Sequence, residues 1–142
     1  MESIHPLIVH FPIALLLTAV VLDVGALIFK RPGWQRIALW NLSLGTLAAG
    51  AAVLSGLQAE DVAKHSFEIW KIMQLHKRLG IITLILGIMA TALRLKTRDQ
   101  LTPIARLGTI GLMLAMAGTL CWGGYLGGRM VFEFGVGGTL GK

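Results

Sequence analysis

The chain has 142 residues, 55% of them hydrophobic and only 14% charged, with a mean hydropathy of +0.73. A soluble domain carries about a quarter charged residues, so this composition excludes an ordinary water-soluble fold and indicates a membrane protein. The formal net charge of +6 does not indicate nucleic-acid binding, because the cations cluster where apolar segments end and no continuous basic face is visible.

The opening Met1-Glu2-Ser3-Ile4-His5 lacks the basic start of a secretory signal, and no small-residue cleavage site follows the first apolar run. That run, residues 7–29, predicts a retained helix. Further apolar segments over residues 37–57, 73–93 and 104–126 predict three more, each near the ~20 residues that cross a bilayer core of ~30 Å. The implied fold is an all-α integral membrane protein, a single domain over residues 1–142 built as a four-transmembrane-helix, up-down-up-down bundle.

Between the first two segments stand Lys30, Arg31 and Arg36. Between the last two stand Arg94, Lys96, Arg98 and Arg106, opposed only by Asp99. Cations flanking short connections stay on the cytoplasmic side. The N-terminus, residues 59–72 and residues 127–142 are then expected outside, with the chain in a bacterial cytoplasmic (inner) membrane. Residues 59–72 read as an amphipathic helix on the outer interface, or as an extension of the third helix. Residues 127–142 are rich in glycine, and their alternating apolar residues predict an extended tail. No internal repeat is evident.

Small residues recur at helical spacing in every segment: Ala14, Thr18, Val21 and Gly25 after His10, Gly45 to Gly56, Gly80 to Ala90 after His76, and Gly111 to Gly118. In lipid such lines mark the faces where helices meet. Imidazoles heading two of those lines therefore point inward by expectation, and an ionisable group inside a membrane is a functional candidate. His10 and His76 lie at matching depth on the first and third helices. Two facing imidazoles suit the axial positions of a b-type haem, with Ala14 and Gly80 leaving space for the porphyrin. Two other readings stay open: hydrogen-bonded histidines that only join helices, and a non-haem transition-metal site using His10 and His76 with His5 and His65. No paired cysteines or HExxH spacing supports the metal reading. Met73 and Met130 are soft donors or simple packing.

Pro12, inside the first helix, should open the carbonyl of Ile8. Asp23, the one acid within an apolar segment, calls for a partner among Arg36, Arg94 and Arg106. Cys121 reads as an inert thiol. Nothing resembles a hydrolase triad or a phosphate loop, so independent catalysis is not expected.

The run His5-Pro6-Leu7-Ile8-Val9-His10-Phe11-Pro12-Ile13-Ala14-Leu15-Leu16 resembles the opening signature of a prokaryotic membrane family, domain of unknown function 2231. The resemblance extends to Ser55-Gly56, to His76, and to Gly127-Gly128 with Gly135-Val136-Gly137, essentially the whole chain. Phe132 and Phe134 stand where that family often has tyrosine and histidine. The resemblance implies a four-helix membrane module. Related modules are fused to Rieske or cytochrome c type domains, which implies redox surroundings by association. Three functions follow as expectations: a small haem b subunit passing electrons between a quinol or periplasmic carrier and a membrane or periplasmic redox partner, a non-catalytic accessory subunit of a larger membrane complex, or a periplasm-facing metal-binding protein.

Overall fold

The structure is a computed structural model and describes residues 5–62, 67–97 and 100–136. Its elements are α1 (His5–Ile8), α2 (His10–Ile28), α3 (Pro32–Val62), α4 (Phe67–Lys96) and α5 (Pro103–Phe132), with no strand among the described residues. Four helices, α2 to α5, are long and apolar enough to cross a membrane.

Local chemistry accounts for the element ends. Pro12 has no N–H for the Ile8 carbonyl, and the helix is interrupted at Val9, which separates α1 from α2. α2 closes with Lys30 in the left-handed region (φ 52) and the Arg31 N–H donating to the Ala26 carbonyl at 3.0 Å. This cap frees the chain to turn at once into Pro32, the first residue of α3. α5 starts in the same way, with Pro103 after Thr102, whose hydroxyl accepts from the Ala105 N–H.

At the bundle ends the helix-extension reading of residues 59–72 is the one that fits, and the expected extended tail gives way to helix. α3 runs to Val62 and α4 begins at Phe67, so most of the 59–72 connection extends the long helices. The glycine-rich segment after residue 126 is helical through Phe132, not extended. Its terminator is Gly135 at φ +64, beyond which the Val136 N–H donates to the Met130 carbonyl. Residues 137–142, and with them the rest of the expected tail, lie outside the described residues.

Contacts between successive helices run in opposite directions along the two partners. On α2 and α3, Gly25 meets Trp34 while Leu16 meets Gly45. On α4 and α5, His76 meets Gly127, Thr83 meets Thr119 and Gly87 meets Met116. α3 and α4 join through Thr46 and Thr91, whose hydroxyls are 3.3 Å apart. Neighbouring helices are therefore antiparallel, and α2 stands diagonal to α4. The centre is filled by Leu16, Ala19, Leu42, Ala90, Met113 and Met116.

Half of the small-residue lines face this centre. Gly45, Ala49 and Ala52 on α3 and Thr83, Gly87 and Ala90 on α4 are buried. On α2 the line is exposed at Ala14, Thr18 and Val21 and buried only at Gly25, against Trp34, and on α5 Gly111, Ala115 and Gly118 are exposed, as is Cys121. On those two helices the inward faces carry Leu16 and Ala19, or Met113 and Met116, because a close crossing needs a small residue on only one of the two partners. Gly45 shows why. A Cβ there would lie 2.7 Å from Leu16 Cδ2 and 2.9 Å from its Cγ, and Leu16 is fully buried with nowhere to retreat. Gly45→Ala should cost about 1–3 kcal/mol by overpacking, read as a lower unfolding temperature in detergent.

Candidate functional site

Polar groups gather at the two ends of the bundle. At the basic end, Arg94 Nη1 lies 3.2 Å from Asp23 Oδ1, and both side chains are almost wholly buried. Arg94 Nη2 donates to the Gln35 carbonyl at 2.8 Å. One guanidinium thus ties α2, α3 and α4. Arg94 is the partner that Asp23 requires, and it sits within the packing instead of flanking the membrane as a topology charge.

At the opposite end two imidazoles meet, and they are those of His5 and His76. Their ring centres lie 6.3 Å apart at an interplanar angle of 86°. His10 is exposed, and the expected neighbour of His76 is replaced by His5 of α1. The cause is helical phase: buried Pro12, Leu16, Ala19 and Asp23 define the inward face of α2, and His10, Ala14 and Thr18 fall on the other. Gly80 is half-buried on the seam with α3, where its Cβ would meet Val53. Ala14 and Gly80 therefore do not line one space. His65 lies outside the described residues.

Each imidazole is fixed in the same manner. His76 Nδ1 is 2.8 Å from the Gly123 carbonyl, and since a carbonyl can only accept, Nδ1 carries the proton. His5 Nδ1 is 2.9 Å from Ser55 Oγ. The His5 ring also donates to the Ala52 carbonyl, to which the Ser55 hydroxyl donates at 3.0 Å, and we assign the one N–H of the neutral ring to Nδ1, shared between Ser55 Oγ and that carbonyl. Each ring also rests on a glycine. A Cβ on Gly56 would stand 3.0 Å from His5 Cε1, and one on Gly127 would stand 3.1 Å from His76 Cε1. A Cβ at either position would force its imidazole to shift by a few tenths of an ångström.

Burial holds the His5 pKa below its ordinary 6.5, and the neighbouring His76 lowers it further, against an opposing hydrogen bond to the Ala52 carbonyl. His5 is therefore set to remain neutral, the form that binds metals. Among the described residues no group of three or more His, Cys, Asp or Glu side chains gathers as a metal cage. Met73 and Met130 are buried core residues.

The family profile described as "Predicted membrane protein (DUF2231)" matches residues 1–140. The chain belongs to this family. As a DUF2231 protein it is a membrane protein with four apolar helices. No curated protein and no solved structure matches it. Within this DUF2231 chain, the opening HPxxVHFP run serves three local ends: His5 enters the imidazole pair, Pro12 breaks the helix above it, and His10 faces outward.

Proposed function

We propose that the chain acts as one membrane-embedded binding module whose paired imidazoles, His5 and His76, hold a transition-metal centre. The observation that carries this reading is the shared tautomer. Both Nδ1–H groups are committed to acceptors on neighbouring helices, so in each neutral ring Nε2 bears the lone pair. Metal-ligating histidines are oriented in this way by a hydrogen bond from the other ring nitrogen. The spacing supports it as well. With metal–nitrogen distances of about 2 Å, two imidazoles on opposite sides of one ion place their ring centres roughly 6 Å apart, against 6.3 Å here.

Haem b is the second reading, since iron accepts two axial imidazoles with the same spacing. It would make the module an electron carrier between a quinol or periplasmic donor and a membrane partner. The closeness of Gly56 and Gly127 to the ring edges favours a compact ion, because a porphyrin would have to part α3 and α5 from the imidazoles. The clustering of cations at the other end supports, by the positive-inside rule, a histidine pair toward the outside of a bacterial inner membrane.

Elemental analysis and reduced-minus-oxidised absorption of the detergent-purified chain test the proposal together. A near-stoichiometric transition metal without a Soret band is the expected result. A Soret band that shifts on reduction moves the assignment to haem b. Neither signal, even after incubation with Zn²⁺, overturns both and leaves an accessory subunit whose histidines only join helices.

A further inference from the structure

The geometry points to a tandem duplication. The chain is two copies of one helical hairpin, α1–α2–α3 and α4–α5, and the His5 and His76 imidazoles are equivalent donors on the pseudo-twofold axis between them. The register is the 71-residue step from His5 to His76, and it carries the environment of each ring as well as the ring itself. His5 hydrogen-bonds to the Ala52 carbonyl and rests on Gly56. His76 hydrogen-bonds to the Gly123 carbonyl and rests on Gly127. The same step takes Ala52 to Gly123 and Gly56 to Gly127. It also takes Pro32, the first residue of α3, to Pro103, the first residue of α5.

Burial follows the same register. Leu16, Ala19 and Asp23 face inward on α2, and Gly87, Ala90 and Arg94 are their counterparts on α4. Ala38, Leu42 and Gly45 are buried on α3, and Thr109, Met113 and Met116 are buried on α5. Even the knobs correspond with their sizes exchanged. Leu16 of α2 fills the space over Gly45 of α3, whereas Met116 of α5 lies over Gly87 of α4.

In a twofold arrangement only residues near the axis touch their own counterparts. Two pairs do so, His5 of α1 with His76 of α4 and Asp23 of α2 with Arg94 of α4. The axis therefore runs through both polar clusters, along the direction of the helices. Repeats in the same orientation, related by an axis along the membrane normal, are an established membrane architecture. The duplication also explains the lack of visible repetition. Two identical acids on the axis would repel, and two identical large knobs would clash, so axial and central positions must diverge into complementary residues.

For the ligand, which rests on the proposed function, the consequence is specific. An ion on the axis receives two matched nitrogen bonds, one ion per chain, with neither histidine dominant.

The decisive experiment uses the full chain with Cys121→Ser. Thr46 of α3 touches Thr91 of α4, and the 71-residue step predicts the counterpart contact between Ala117 of α5 and Val20 of α2. A short thiol-specific crosslinker should join both the Thr46→Cys/Thr91→Cys pair and the Val20→Cys/Ala117→Cys pair. Absence of the second crosslink, with the first present, overturns the duplication. The charge reversal Asp23→Arg/Arg94→Asp should recover the folded chain that each single change loses, the moved guanidinium now taking the Arg106 carbonyl, counterpart of that of Gln35. Its recovery adds support. With both crosslinks present, Zn²⁺ titration separates the two ideas. Equal loss of affinity in His5→Ala and His76→Ala supports matched donors, and grossly unequal loss overturns the equivalence. Failure of the unaltered chain to bind Zn²⁺ sinks the metal function and leaves the duplication standing.

Discussion

Arg94→Met should be among the most damaging single substitutions in the chain, costing on the order of 3–5 kcal/mol. The guanidinium is 1% exposed and faces an Asp23 that is 2% exposed. Removing it takes a charge partner at 3.2 Å from a carboxylate inside the bundle, and it also breaks the bond to the Gln35 carbonyl that brings α3 into the cluster. A charge cannot be abandoned inside a membrane without a large penalty. Arg94→Lys should recover only part of the loss, since one ammonium cannot reproduce the fork that spans Asp23 and Gln35. The double change Asp23→Leu/Arg94→Met should recover most of it, because replacing a buried pair by apolar residues is often neutral or stabilising. Thermal unfolding in detergent followed by tryptophan fluorescence reads the series, with Trp34 packed on Gly25 and Phe29 at the same end. Wild-type-like stability of Arg94→Met would show that the pair does not hold the helices together.

Much of the fold was legible because lipid imposes simple rules. Four apolar segments of spanning length had to be helices, since a backbone in hydrocarbon must satisfy its own hydrogen bonds. Helix ends were less legible. Gly127 and Gly128 look like breakers, yet α5 passes through them and stops at Gly135, the glycine that takes a positive φ. The inward faces of α2 and α5 are hard to read for a related reason. Ala14 and Thr18 on α2 and Gly111, Ala115 and Gly118 on α5 match the small-residue rule yet are exposed, because at the central crossings the small partner lies on the neighbouring helix, with Leu16 over Gly45 and Met116 over Gly87.

The site itself was half legible. His76 and the possibility of His5 as a ligand follow from the residues, but pairing His76 with His10 ignored the strongest phase marker in α2. Asp23 must be buried, so it defines the inward direction. Eighteen residues make five turns at 3.6 residues per turn, and stepping back by that amount from Asp23 reaches His5. The same step back from Arg94 reaches His76. His10, by contrast, falls well off that direction and is exposed. The seats of the two rings were not readable in advance, because Ser55, Gly56, Gly123 and Gly127 become neighbours only when antiparallel helices pack.

His5→Ala and His76→Ala should each abolish metal binding, while His10→Ala should leave it unchanged. Two ligands on one ion act together, so deleting either leaves one imidazole, and no third donor group among the described residues stands ready to replace it. His10, exposed on α2, has no part in the pair. The pH dependence gives a second measurement on the unaltered chain. Metal binding requires the neutral ring, and burial together with His76 holds His5 below its ordinary 6.5. Metal binding should therefore weaken as pH falls, because protons and the metal compete for the same ring nitrogens. Folding stability without metal should carry the mark of His5. The unfolded chain protonates this histidine first, so its contribution is complete above 6.5 and declines as pH falls from there to the folded-state value, below which it no longer changes. Zn²⁺ titrations across the three alanine variants read the first effect, and thermal unfolding of the metal-free chain between pH 5 and 8 reads the second. A His10→Ala variant that loses the metal while His5→Ala keeps it would return the ligand role to His10.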